Sequence, residues 1–315
     1  MAPSEIDLRG ARLFLGQRYS QRVENVELVG EGAWSRCYGY VVDGQELVVR
    51  FGRQFDDFAK DQRASRFAGP CLPVPRCVDV GPLAGTGGRE HFAISQRCRG
   101  EFLEHLDEAG WRAVLPSLFA CIDAMHDADL STTTGFGDWG SDGNAPSAGW
   151  PEFLLDIAVD SPARRTHGWR AVLDTSPAGA AMFDAALVRL RGVLADLQPI
   201  RRCLIHGDLI NRNVVVAGSN VAGVFDWGCS MYGDQLYDIA WIWFWSPWYP
   251  ALEPMDIVGR FREHLARTGR SVPQLDERLH AIALHIGLAH LAYNAFLADW
   301  PVQGRLMTRL APFVQ

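Results

Sequence analysis

The chain has 315 residues, 48% hydrophobic and 21% charged, with a formal net charge of −7, which suits a large core divided between two lobes, and disorder is not expected to dominate. The negative balance opposes nonspecific nucleic-acid binding, which needs a basic surface. Seven cysteines, odd in number and without a C-x-x-C pair, predict a reduced cytoplasmic protein lacking disulfides and a zinc site. At the N-terminus, MAPSEIDLRGARLF has no apolar core leading to a small-residue cleavage site. Alternating residues then predict strands over 26–29, 37–42 and 46–51, with Asp43 and Gly44 in a tight turn and Gly30, Gly32 and Ser35 in the turn before it. Residues 55–69, FDDFAKDQRASRFAG, read as a helix. The proline-punctuated stretch 71–81, CLPVPRCVDVG, leads to another strand at 91–96, and a connection between lobes falls at 97–100. These signals divide the chain into a β-rich lobe over 1–99 and a mostly helical lobe over 100–315. Helices are expected over 111–126 and 180–197, with a long loop, STTTGFGDWGSDGNAPSAGW, between them; loops of this length are usually functional or mobile. Asp238 opens a further helix on which Trp241, Trp245 and Trp248 recur at i, i+4 and i+7. The apolar run over 239–251 is too short to span a bilayer and is broken by Pro247 and Pro250, so no membrane association is expected. His280, His285 and His290, spaced by five, diverge on a helix and are expected to be structural.

Residues 206–226 read HGDLINRNVVVAGSNVAGVFD. Asp208 supplies a carboxylate suited to a substrate proton, and Asn213 and Asp226 supply an amide and a second carboxylate suited to a divalent metal. Protein kinases use H-x-D-x-x-x-x-N followed by D-x-G in this way. A bare HGD would be weak evidence, and a β-hairpin with polar turns is the plain alternative; the full set, separated by strand-like residues, predicts two loops joined by a hairpin and returning to one cleft. Gly30 and Gly32 would let the backbone approach phosphate oxygens, although Ser35 stands where the third glycine of G-x-G-x-x-G would be. Arg50 ends the third strand, where kinases place a lysine on the α and β phosphates. Its partner would be Asp61, or failing that Asp57; a solvent-facing strand-edge arginine is the alternative. Lys60 is the sole lysine among 30 basic residues, and its surroundings exclude a G-x-x-x-x-G-K-[ST] phosphate loop. In kinase-like folds the adenine edge bonds to backbone groups of the connection between lobes, so Gln96 and Cys98 would contribute main-chain atoms there. The tryptophan stripe would ordinarily be core packing; its functional version is a wall for a sugar ring or cation, for which Trp245 and Trp248 are better placed than Trp241.

These stretches together resemble the aminoglycoside phosphotransferase family, small-molecule kinases with a protein-kinase-like fold. The likeness runs through GEGAWSRCY, VVRF, CLPVPRCVDVG, AISQRCRG, ADLSTTTGFG, HGDLINRNVVV, VFDWGCSMYGD and FWSPW. HGD and FDWG identify the reaction alone, whereas ADLSTTTGFG and FWSPW resemble members that act on hygromycin B. The resemblance implies an α+β, two-lobed fold and transfer of the ATP γ-phosphate, with GTP an open alternative, to an antibiotic hydroxyl. It implies Asp208 as base, Mg²⁺ held by Asn213 and Asp226, Arg50 on the phosphates, and an acceptor pocket around Asp208, Trp245 and Trp248 in a monomer. One departure is Arg212, where asparagine stands in those members. A cation there opposes a polycationic acceptor unless it faces solvent or binds phosphate. The competing expectations are a kinase of the same fold acting on choline, homoserine, a thio-sugar or a macrolide, and a nucleotide-binding pseudokinase, against which the intact Asp208, Asn213 and Asp226 argue.

Overall fold

The computed structural model describes residues 4–32 and 34–315; the first three residues of the N-terminal reading and Ala33 of the GEGAWSRCY stretch lie outside them. In chain order the elements are α1 (Leu8–Arg18), β1 (Val23–Glu31), β2 (Ser35–Val42), β3 (Gln45–Gly52), α2 (Phe55–Ala64), β4 (Cys77–Pro82), β5 (His91–Gln96), β6 (Glu101–Phe102), α3 (Glu108–His126), β7 (Gly137–Asp138) and α4 (Trp150–Leu155). There follow α5 (Trp169–Leu173), α6 (Pro177–Ala195), β8 (Cys203–Ile205), β9 (Val214–Ala217), β10 (Asn220–Val224), β11 (Met231–Gly233), α7 (Tyr237–Trp245), α8 (Ile257–Thr268), α9 (Leu275–Leu297) and α10 (Trp300–Val314). Two compact units result. One takes the described residues through 128 with 140–144 and 208–230; the other takes 129–139, 145–207 and 231–315. A cut between residues 99 and 100 does not reproduce this division, because α3 packs on β10 and Val221 N donates to Ser117 Oγ at 3.0 Å within the first unit.

In the first unit an antiparallel sheet has the order β1-β2-β3-β5-β4. Asp43 and Gly44 both take left-handed backbone (φ 49° and 75°), the geometry a two-residue hairpin turn demands. Strand alternation then sorts the side chains by face. Tyr38, Tyr40, Leu47, Val49, Phe51, Phe92 and Ile94 form one core with Ala11 and Leu15 of α1; each fully buried large side chain there contributes about 2–3 kcal/mol. The intervening Cys37, Val48, Arg50, Ala93 and Ser95 line a cavity instead. A second sheet, β10-β9-β6, carries the hairpin of the HGD stretch.

In the second unit a small sheet, β7-β11-β8, accompanies helices packed on α9, which meets α5, α6, α7 and α10. Helices α3 and α6 begin three residues before the expected 111 and 180, because Asp107 and Ser176 cap them by accepting from Gly110 N and Gly179 N. Burial pushes the imidazoles of His285 and His290 down to about 3 and about 4, so both are neutral packing groups. His290 lies 4.6 Å from the Trp245 ring and His285 meets Tyr237 Oη at 3.3 Å. Among the described residues no helix is long and apolar enough to cross a membrane.

Candidate active site

The β9–β10 hairpin explains why residues thirteen apart in the chain meet. Val214 pairs with Val224, and Phe225 N donates to Asn213 O at 3.0 Å, so Asn213 and Asp226 stand at the same end of one ladder. Asp208 lies just before this hairpin, clasped by two amides. Asn211 Nδ2 donates to its Oδ1 at 2.6 Å, and Asn213 Nδ2 to its Oδ2 at 3.0 Å and its backbone oxygen at 2.8 Å. Burial pushes the Asp208 carboxyl up, to about 7; the Asn211 bond resists, while the charges of Asp226 and Glu104 add to the rise. Because the Asn213 nitrogen is committed to Asp208, its side-chain oxygen is the atom left for a cation.

Arg50 organises the opposite wall. Its Nη2 pairs with Asp61 Oδ2 at 2.6 Å and its Nη1 with Asp226 Oδ1 at 3.1 Å, and its guanidinium lies 4.8 Å from the centre of the Phe58 ring. Asp61, the preferred partner on α2, therefore pairs with Arg50, and Asp226 pairs with it as well. Burial works against the arginine's charge, but Asp226 and Asp61 hold its pKa above the ordinary guanidinium value. Burial lifts the Asp61 carboxyl to about 6 against the pull of Arg50. The Arg50 Nε–H is buried with no acceptor among the described residues, an orphan donor of the kind a ligand oxygen would satisfy. Asp226 itself has φ 61°, and Asn211 and Arg212 are also left-handed, at 70° and 65°. Such backbone is uncommon away from glycine and clusters at functional sites.

These groups border one cavity of about 360 Å³ within the first unit. Gly30, Gly32 and Ser35 line it on one side, Arg50 and Asp61 on another, and Gln96 and Cys98 at the end of β5; Asn213, Asp226 and Arg212 line it too. Asp208 reaches this set through its bond with Asn213. A Cβ on Gly32 would meet nothing within 4 Å, so glycine there leaves space above the cavity rather than relieving a clash. Trp245 and Trp248 belong to the second unit. Their rings lie 5.0 Å apart, and the buried indole N–H of Trp245 has no acceptor among the described residues.

Three contributors escaped sequence reasoning. Asn211 was visible as an amide three residues after Asp208. Lys60 donates to Gly228 O at 2.9 Å and Ser230 O at 3.1 Å, and its one available signal was being the only lysine. Asp238 is 1% exposed and accepts from His206 N at 3.0 Å and Gly207 N at 2.8 Å, fixing the backbone that leads into Asp208. Asp238→Ala would orphan two buried N–H groups and is expected to cost about 3 kcal/mol; denaturant unfolding of the variant checks this.

A family model for the phosphotransferase enzyme family, APH, matches residues 26–282. The chain belongs to this family. The phosphotransferase is 31% identical over 294 residues to hygromycin-B 4-O-kinase of Escherichia coli, covering 92% of this chain and 80% of that protein. It superimposes on the crystal structure of aminoglycoside phosphotransferase APH(4)-Ia with a TM-score of 0.83 and 30% identity, covering 98% of each chain. A thermostable mutant of that enzyme in ternary complex with AMP-PNP and hygromycin B gives a TM-score of 0.82 at 30% identity, covering 96% of this chain and 97% of that one. Macrolide 2′-phosphotransferase MphH from Brachybacterium faecium shares the fold alone, at 17% identity and a TM-score of 0.57 over 96% of this chain and 97% of that one. The α+β kinase-like fold and the phosphotransferase activity expected from the motif both hold.

Proposed function

We propose that this phosphotransferase moves the γ-phosphate of ATP to a hydroxyl of hygromycin B or a closely similar aminocyclitol antibiotic. The observation that carries the reading is the meeting of Asn213, Asp226 and Arg50 at one cavity, with Asp208 bonded to Asn213 beside it, in a chain similar over nearly its whole length to hygromycin-B 4-O-kinase. Gly30, Gly32 and Ser35 would cover the phosphates, the backbone of Gln96 and Cys98 would meet the adenine edge, and Arg50, held by Asp61, would offer its unanswered Nε–H to phosphate oxygens. The Asn213 oxygen and the Asp226 carboxylate are hard oxygen donors, and magnesium characteristically takes one or two such ligands beside substrate phosphates. Bound there, it would neutralise charge on the transferring group. Asp208, aligned by Asn211 and Asn213, would orient the acceptor hydroxyl and take its proton. Trp245 and Trp248 would wall the acceptor; Arg305 already stands 4.9 Å from the centre of the Trp248 ring, a cation–π contact of the kind an amino sugar would make.

Arg212 favours one refinement. It is exposed, lines the nucleotide cavity, and has no acid paired with it among the described residues. Its charge favours an acceptor with few amino groups near the reacting hydroxyl. The test is incubation with ATP and Mg²⁺ against hygromycin B, other aminoglycosides, choline, homoserine and a macrolide, followed by mass analysis for one added phosphate. Hygromycin B is expected to be modified fastest. Phosphate on another acceptor with hygromycin B untouched would refute the assignment.

A further inference from the structure

Helix α2 presents one face to the segment that follows Asp226. Asp57, Lys60 and Asp61 stand at i, i+3 and i+4, so they project together. Asp61 Oδ1 accepts from Trp227 N at 2.8 Å. Gly228 packs so closely that a Cβ there would lie 3.3 Å from Asp57 Cγ. Lys60, 6% exposed, places its ammonium on the carbonyl oxygens of Gly228 and Ser230. Bonds from a charged donor are roughly twice as strong as neutral ones, and a lysine is seldom buried unless its charge is answered. On the other side of Asp226, the β9–β10 ladder ends with Phe225 N on Asn213 O. The left-handed aspartate is thus gripped from both sides, which is what an unfavourable backbone conformation needs in order to persist.

We propose that Lys60 is a positioning residue that sets Asp226 for the nucleotide-bound divalent cation. The inference rests on the metal-ligand reading of Asp226 given above. Lys60 touches neither nucleotide nor metal in this role; it clamps the chain two and four residues beyond the ligand, while the neighbouring Asp61 clamps the residue immediately after it. One helix face therefore registers both the loop and, through Arg50, the phosphate-facing wall.

The experiment measures AMP-PNP affinity by calorimetry, with Mg²⁺ and with EDTA, in the full chain. The readout is the ratio of the two affinities. Lys60→Met is expected to reduce that ratio on the order of 10-fold, the scale for removing an outer partner of a metal ligand, while the EDTA affinity stays within about twofold of the parent's. Lys60→Arg, which keeps charge and donors, restores most of the ratio. In an Asp226→Ala background Lys60→Met changes the ratio no further. Should Lys60→Met not fold, Lys60→Gln, which keeps a donor without the charge, is read in its place with a loss of about threefold. An unchanged ratio in the folded variant, or an equal loss with and without Mg²⁺, overturns the positioning role. Absence of any Mg²⁺-dependent gain in the parent protein would instead remove the metal reading of Asp226, and the inference with it.

Discussion

Asp208→Asn is expected to lower kcat by about three orders of magnitude, within the range that a positioned base supplies, while AMP-PNP affinity stays within about twofold. The reasoning is geometric. Both Asp208 oxygens now accept from amides, Asn211 on one and Asn213 on the other; an asparagine can accept from only one of them and must turn its own NH₂ toward the second. Stability should therefore fall by only about 1 kcal/mol, so lost turnover would not reflect unfolding. The pH profile supplies a second arm. Burial raises the Asp208 carboxyl to about 7, and only the ionised form can take a proton. In the parent enzyme kcat/KM should fall as pH drops through about 7 and level off above it, since that quantity reports the free enzyme's base. The acidic limb should be missing from the residual activity of the variant. Near-normal turnover by Asp208→Asn would remove this residue from the role.

Asp226→Ala is expected to weaken Mg²⁺-dependent nucleotide binding by at least about 100-fold, since losing even an outer partner of a metal ligand costs 10- to 100-fold. Two effects combine. The substitution deletes the proposed ligand, and it leaves Arg50 paired with Asp61 alone, so the guanidinium is freer to follow the phosphates without their cation. Affinity measured in EDTA should therefore change little or rise, a sign opposite to that of a general collapse of the cavity. Calorimetry with and without Mg²⁺ decides the matter, and an unchanged Mg²⁺-dependent affinity would mean that the metal is held elsewhere. Alanine also lacks the short polar side chain that makes left-handed backbone tolerable at Asp226; Asp226→Asn, which keeps it, separates the conformational effect from the loss of charge.

The parts legible in the sequence are those whose partners are close in the chain or follow a period. Alternation marked the first three strands, although β1 begins at Val23 rather than 26 because Val23 finds a partner in Val42. The helix expected over 55–69 ends as an α-helix at Ala64 and continues as a single 3₁₀ turn through Phe67, just ahead of Gly69 and Pro70. Asp208, Asn213 and Asp226 could be read together because all three flank one short hairpin. Lys60 and Asp238 could not. Their acceptors and donors are backbone atoms, 168 and 170 residues away for Lys60 and 31 and 32 for Asp238, and no side-chain pattern reports a distant carbonyl or amide. The tryptophan stripe was visible as a periodicity, but its packing against His290 from α9 was not. That histidine had been read as diverging from its own neighbours, which is true along its helix and silent about what lies across from it.

The two-faced sheet sets how this enzyme can change over generations. In β3, Leu47, Val49 and Phe51 feed the core under α1 while Val48 and Arg50 face the cavity that Asp226 borders. A single inserted or deleted codon upstream in this strand would exchange the two sets, driving a guanidinium in among Ala11 and Leu15 and turning Phe51 toward the cavity. Lineages of this enzyme are thus free to explore which residue stands at a cavity position, but hardly free to alter how many residues the strand contains.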